Sequence, residues 1–437
     1  MIESGFSRAS KTIVKFVGSG LRGLALSVLL PIAARELSAH AQTTHPIDIG
    51  GRKQLFIDTK FVTNAHNISL EMNPPAKMGQ IMAGIHPWET GWWNGSASIL
   101  EYEGKFKLWY NCSDPQSGLK QSYLCYAEST DGLIWNRPQL GLFEFQGSRA
   151  NNILMLVRRN GATVFIDPKA PPAERYKLLA KMNASAGLPG PEGDGMYIYH
   201  SPDGLRWKLH PLRVLPWTTD TTNQVFYDRR IDCYVGYIRL WDPLRKVGRI
   251  ETENVMAPWP YRGEKVPPNV KPKTGYLTAN EVPLAFGYDD RDPIESDHYT
   301  PAGFPYPFAD DAYFLFPSAY LHYSISLPKR IANDGPLDVQ MAVSRDGVKF
   351  HRVARQPYIG LGIFGEPDGG SLYMSLGFLR RGNEIYQYYT GYPFTHLDFK
   401  YLRDRNVGAL FAVKQRLDGF VSADAPMEGG SFSTPLV

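Results

Sequence analysis

The sequence predicts an all-β chain built as a five-bladed β-propeller, and three observations lead there. First, Glu128-Ser-Thr-Asp-Gly-Leu-Ile-Trp135 returns as Ser201-Pro-Asp-Gly-Leu-Arg-Trp207 and as Ser344-Arg-Asp-Gly-Val-Lys-Phe350, with a shorter copy at Leu417-Asp-Gly-Phe420. Asp-Gly suits a tight hairpin because both residues tolerate positive φ, so each copy reads as a turn between short strands. Second, 25 Tyr, 22 Phe, 9 Trp, 41 Gly and 34 Pro favour short strands and sharp turns over long helices. Third, these copies divide the chain into similar units, and radial repetition of such units protects their sheet edges. No alternation of strands with helices is present, which excludes a doubly wound α/β fold.

The elements follow in order. Residues 1–41 read as an export signal: Arg8, Lys11 and Lys15 precede the apolar run Leu21 to Ala34, and Ala39-His-Ala41 fits a small-x-small cleavage site. That run is shorter than the roughly 20 residues a membrane span needs. A periplasmic or secreted bacterial protein is expected, with no membrane association after cleavage. Without these residues the formal charge falls from +4 to about +1, leaving no field for nucleic acid. The propeller is expected over residues 50–421, with Gln54–Val62 as an N-terminal strand that completes the last blade and closes the ring. Residues 422–437 form a Gly- and Ser-rich tail.

Ending each unit at its Asp-Gly copy gives Trp93 to Trp135, Asn151 to Trp207, Asp220 to Trp259, Asp292 to Phe350 and Glu366 to Phe420. The third unit lacks the pair. Pro258–Pro283, rich in Pro and Lys, reads as an inserted loop. Three cysteines cannot make a disulfide scaffold. Cys112 and Cys125 fall on neighbouring strands and either pair or stay as buried thiols.

Several stretches carry a family likeness. Gln54-Leu-Phe-Ile-Asp58, Gly104-Lys-Phe-Lys-Leu-Trp-Tyr110, Tyr126-Ala-Glu-Ser-Thr-Asp-Gly-Leu-Ile-Trp135, Asn151-Asn-Ile153, Asp220-Thr-Thr-Asn223 and Tyr386-Gln-Tyr-Tyr-Thr-Gly-Tyr392 resemble exported bacterial five-bladed propeller proteins. Those proteins are related to glycosyl hydrolases of the invertase, levansucrase and arabinanase type, and the likeness spans roughly residues 50 to 430. It implies a carbohydrate substrate and carboxylates from different blades meeting in a central funnel. Arg291-Asp292-Pro293 resembles the Arg-Asp-Pro motif of the invertase group, whose aspartate stabilises the transition state.

Propeller geometry selects residues independently, because the start of every unit's first strand points to one end of the axis. Asp220, Asp292, Asp297, Glu366 and Asp368 are the acidic candidates. Glycoside hydrolysis needs two carboxyls across the scissile bond, one of them protonated near neutrality. Glu366 is the expected acid and Asp220 the expected base, with Asp297 or Asp368 tuning them. Glu366 and Asp368, two apart on an extended chain, would face the same side. Trp92, Trp93, Asn94, Asn152, Asn223, Arg239 and His396 are the candidate substrate contacts. No cofactor is implied, although Asp289-Asp-Arg-Asp292 is also a candidate Ca²⁺ loop. The expected activity is hydrolysis of an oligo- or polysaccharide. A phosphorylase or transglycosylase using Arg239, Arg249 and His396, or a non-catalytic sugar-binding propeller, stays open. The sequence is silent on oligomeric state.

Overall fold

The computed structural model describes residues 46–437 apart from 115–120, 159–161, 220–221, 242–243, 262–281, 324–333 and 399–407. The expected export signal and most of the expected insertion therefore lie outside the described residues, as does Asp220. The described chain is all-β, with a propeller arrangement and only short 3-10 turns. No helix among the described residues is long and apolar enough to cross a membrane.

Strands β1 (Asn64–His66), β2 (Ser69–Met72) and β3 (Ala76–Ala83) precede the first large sheet. That sheet is the meander β4 (Trp92–Tyr102), β5 (Lys105–Ser113), β6 (Gln121–Ser129) and β7 (Ile153–Arg158). The second is β8 (Ala162–Ile166), β9 (Tyr176–Met182), β10 (Gly195–Ser201) and β11 (Lys208–Leu215). The third is β12 (Gln224–Asp228), β13 (Cys233–Trp241), β14 (Arg245–Thr252) and β15 (Leu284–Phe286). In the fourth segment each strand is interrupted: β16 (Ser296–His298) and β17 (Gly303–Pro305), β18 (Tyr313–Leu315) and β19 (Ser318–Leu321), β20 (Leu337–Val339) and β21 (Ala342–Ser344). The last segment is β22 (Ser371–Met374), β23 (Leu379–Arg381), β24 (Glu384–Tyr392) and β25 (Ala409–Arg416). Strands β26 (Val421–Asp424) and β27 (Ser431–Ser433) then pair with β2 and β1, so the expected tail is strapped to the N-terminal segment.

Three expectations are corrected. Five separate sheets were expected, but only four contain four strands or more. A parallel pair at Leu337 and Ser371 fuses the last two segments into one eight-stranded sheet. The strand that joins the last segment is β3, antiparallel to β25, and not Gln54–Val62. The Asp58 carboxylate accepts the Lys60 N–H at 3.0 Å and starts a 3-10 turn over Thr59–Phe61, which ends any extended run there. Finally, the first two Asp-Gly copies do not end a unit. Asp131-Gly132 joins β6 to β7 and Asp203-Gly204 joins β10 to β11, each a third strand to a fourth, so Ile153–Arg158 belongs to the first sheet and not to the second.

The turns also differ from two-residue hairpins. Ser129 donates to the Asp131 carboxylate at 3.0 Å and accepts the Gly132 N–H at 2.8 Å, while Asp131 accepts the N–H groups of Leu133 and Ile134. Side chains thus satisfy the backbone where no ladder exists. Gly132 (φ 75°) and Gly204 (φ 78°) hold the left-handed conformation that glycine adopts freely. Each turn docks on an aromatic side chain from another sheet. Tyr388 donates to the Gly132 carbonyl (2.8 Å), Trp109 to that of Gly204 (2.7 Å) and Tyr237 to that of Gly347 (2.7 Å). A methyl group on Gly204 would sit 2.6 Å from the Trp109 ring, which explains why the pair repeats as Asp-Gly.

The large apolar clusters lie between sheets. The first and second sheets share Trp109, Tyr126, Tyr176 and Leu178; the second and third share Phe165, Trp217, Ile238 and Trp259. Phe226, Tyr237 and Phe286 pack on Tyr313 and Leu315 of the fourth segment. That segment's Phe314 and Phe316 pack on Leu372 and Phe411, and Leu379 and Tyr388 of the last pack on Trp93 and Tyr110 of the first.

Candidate active site at the axial rim

In an antiparallel meander the start of the first strand, the end of the second and the start of the third reach the same edge. The third sheet brings Arg239 and Trp241 there from the end of β13 and Arg245 from the start of β14. The fourth segment adds Asp297 from β16, Tyr299 beyond it, Tyr320 from β19 and His322 just past it. The last adds Tyr373 from β22 and His396 after β24.

These side chains converge. Arg245 Nη1 lies 2.7 Å from Asp297 Oδ2, and His322 Nε2 lies 3.3 Å from the same oxygen. The guanidinium of Arg245 sits 4.3 Å from the Trp241 ring centre, 5.1 Å from Tyr299 and 5.3 Å from Tyr320. Arg239 lies 4.9 Å over Tyr299. Aromatic faces attract cations, most strongly when water is excluded, so the rings hold both guanidiniums in place. The Tyr299 ring also meets Tyr320, Tyr373 and His396 edge-on, at 5.9, 5.9 and 4.5 Å.

Asp297 is 1% exposed. Burial alone would raise its pKa, but His322 and Arg245 outweigh that and hold the carboxyl below its ordinary value. It is therefore an anion at neutral pH. It cannot supply a proton, but it can stabilise developing positive charge or orient a nucleophile. Nearby, Asp334 accepts from Thr395 Oγ1 (3.0 Å) and from the Leu397 N–H (2.9 Å), and the His396 N–H donates to the Gly335 carbonyl. This clip fixes the segment carrying His396.

The other expected residues are distributed elsewhere. Asp292 accepts from Arg352 at 2.5 and 2.7 Å and from Arg355 at 3.0 Å, and Asp289 shares both arginines. Two carboxylates of the candidate Ca²⁺ loop, Asp289 and Asp292, are thus engaged in ion pairs. Asp368 accepts from Lys77 and Tyr389, each at 2.7 Å. Glu366 is exposed, and its carboxylate accepts the Ile363 N–H at 3.1 Å. Glu366 and Asp368 line a separate cavity with Lys77, Tyr389 and Phe411. Asn152 bonds Tyr110 Oη and the Tyr126 carbonyl (2.7 Å each) and accepts from Trp88 at 2.9 Å, a packing role that follows from its place before β7. Asn223 is buried before β12 and accepts the Arg239 N–H at 3.2 Å. Trp93 is buried on Tyr110, and its carbonyl accepts from Tyr392. Trp92 and Asn94 open β4. Arg249 points to Glu251 and the Gly347 carbonyl. Cys112 and Cys125 are free, and burial raises both thiol pKa values.

Sequence reasoning missed Arg245, His322, Tyr299, Tyr320 and Tyr373. Its geometric criterion took only the starts of first strands, whereas strand reversal brings two further edges of every unit to the rim.

Two buried groups of the fourth segment respond to pH with opposite sign. His298 follows Asp297 on β16 and so faces the opposite side, 4.6 Å from the Phe286 ring. Burial, then the Arg352 charge, push its pKa down to about 4. Asp338 stands across Ala319 from His298, on the same face, and burial raises its pKa to about 7. Neutral His298 gains a proton on unfolding, so its term falls by about 3 kcal/mol as pH drops from about 6.5 to 4. Asp338 has the opposite sign: its term is full below pH 3.8 and is lost by about 4 kcal/mol as pH rises through 7. Urea unfolding at pH 5 and 8 should show His298→Asn cutting the acid-side loss and Asp338→Asn the loss at pH 8. Slopes equal to wild type in both variants would contradict these assignments.

No family model and no curated protein matches the chain. Solved structures do resemble it. An N-acetylgalactosamine deacetylase from F. plautii, determined with blood group B trisaccharide, gives a TM-score of 0.50 at 11% identity over 79% of this chain and 95% of that one. A GH130 family protein, described as a group of mannoside phosphorylases containing glycoside hydrolases for β-1,2 mannosidic linkages in Candida mannan, gives 0.47 at 14% identity over 86% and 100%. A glycosyl hydrolase from Bacteroides ovatus gives 0.46 at 13% identity over 89% and 100%.

Proposed function

We propose that this chain is a glycoside hydrolase that binds an oligo- or polysaccharide at the axial rim of a five-bladed propeller. Five units, not four, are supported by the apolar layers, which lie between successive segments and again between the last and the first. A cavity of about 500 Å³ is also lined from Ile99–Glu101, Thr163–Ile166, Gln224–Tyr227, Phe304–Pro305 and Leu376–Phe378, one segment from each unit. The Ile99 N–H donates to the Leu376 carbonyl at 2.8 Å, a contact between the first and last units that supports a closed ring.

One observation carries the chemical reading: a buried, ionised carboxylate, Asp297, lies among aromatic rings where three units converge. An oxocarbenium-like transition state develops positive charge beside such a group. Asp297 is assigned that stabilising role. The half-buried Tyr373 offers ring surface for a sugar, with its hydroxyl at the edge. The second carboxyl is assigned by sequence position to Asp220, just before β12. A glycan-panel assay comparing wild type with Asp297→Asn, Asp220→Asn and Glu366→Gln tests these roles. Asp297→Asn should lower turnover on the order of 10³-fold. Unchanged turnover in Asp297→Asn and Asp220→Asn would refute the reading, and glycan binding without turnover would mark a binding module.

Phosphorolysis is the second reading, because Arg239 and Arg245 lie together beside Tyr299 and could hold an attacking phosphate. Inorganic phosphate in the same assay separates the two, since only a phosphorylase releases a sugar phosphate.

A further inference from the structure

We infer that ordered water is bound inside the fourth segment, where one molecule bridges His298 and Asp338 across Ala319. Strands β16, β19 and β20 lie side by side, with His298 opposite Ala319 and Ala319 opposite Asp338. Residues opposite one another in a ladder point to the same face, so the imidazole and the carboxyl both stand over the alanine methyl. Three of their polar atoms are buried with no hydrogen-bond partner among the described residues: His298 Nδ1, His298 Nε2 and Asp338 Oδ1. His298 is 3% exposed and Ala319 5%. Buried polar atoms without partners are rare in native proteins, and internal water is a common partner where protein groups do not reach.

The two side chains start about 10 Å apart along the ladder, and neither is hydrogen-bonded to the other. Alanine between them leaves room that a larger residue would fill. The chemistry of that space is that of water. A neutral imidazole needs a donor at one nitrogen and an acceptor at the other, and water supplies both. Burial and then the Arg352 charge keep His298 uncharged near pH 5.5, and burial keeps Asp338 protonated there, so no counter-ion is called for. The charges acting on His298 are those of Arg352, Asp292, Asp297 and Asp289. Arg352 repels a cation, and two protein ligands are fewer than the three or four that hold a zinc ion. An apolar guest would leave all three atoms unmet. The ring nitrogens point in different directions, so a second molecule meets the one turned away from Asp338. None of this depends on whether the rim takes a sugar.

A crystal structure of the full chain at pH 5.5, at a resolution that shows ordered solvent, tests the site. A solvent peak within about 3.2 Å of Asp338 Oδ1 and of one His298 nitrogen is expected. A direct His298–Asp338 hydrogen bond, a peak that touches only one of them or none at all, or a metal's anomalous signal there would each overturn the bridge. Ala319→Val gives an independent reading in solution. Its two added carbons should displace the water and strand both groups, lowering the folding equilibrium constant from urea unfolding about tenfold or more. In a His298→Phe, Asp338→Leu background the same substitution should cost nothing or stabilise, because valine suits a strand and no polar group is left to strand. An equal loss in both backgrounds, or no loss in wild type, would overturn the inference; should the double background not fold, the solvent peak decides.

Discussion

Replacing Arg245 with methionine is expected to destabilise the fold by about 3–5 kcal/mol and to remove activity with it. The Arg245 side chain is 6% exposed and that of Asp297 is fully buried, so the substitution strands a carboxylate in a region water does not reach. Methionine keeps much of the volume between Trp241, Tyr299 and Tyr320, which separates loss of charge from loss of packing. Asp297→Asn removes the opposite charge and should also destabilise, but less, because Arg245 keeps its three ring contacts. The double variant Arg245→Met with Asp297→Asn should be more stable than the sum of the single losses predicts. A double-mutant cycle by urea unfolding measures this. Strict additivity would mean that the arginine does not hold the carboxylate.

Arg137→Met is expected to have a stability effect of the same size, about 3–5 kcal/mol, at a site far from the chemistry. Glu89 is fully buried and receives Arg137 Nε at 3.0 Å, Tyr110 Oη at 2.5 Å and the N–H groups of Ile85 and His86 at 3.0 and 3.2 Å. Arg137 also donates to the Ala83 carbonyl at the end of β3. Its side chain therefore neutralises a charge and ties β3 to the segment that follows the first Asp-Gly turn. Glu89→Gln in the Arg137→Met background should recover part of the loss, since the amide can still accept from the tyrosine and the backbone. A melting curve for Arg137→Met that overlays wild type would refute the network.

Much of the strand content was legible because it depends on local patterning. Phe106–Tyr110, Thr163–Ile166, Tyr176–Lys181 and Ile385–Tyr389 all fall inside observed strands. β11 was missed, because Lys208–Leu215 follows an Asp-Gly pair that was read as a unit's end and carries a proline at position 211. β3 was missed because it is mostly exposed, with Gly79 and Lys77 breaking any apolar run. The same misplaced boundary sent Asn152 toward the axis, where it in fact packs between β5 and β6. Asp297 was legible as a residue at a strand start. Its arginine was not, because Arg245 sits 52 positions away and nothing local distinguishes it from other surface arginines. Pairings that depend on the sheet edge to which a strand returns need the topology before they can be read.

The pairing of β3 with β25 has a consequence for biosynthesis. Strand β3 leaves the ribosome long before its partner exists, and β1 and β2 wait likewise for β27 and β26. A nascent chain carries the unpaired edges of β1, β2 and β3 until β27, β26 and β25 emerge, so these pairings form late in synthesis.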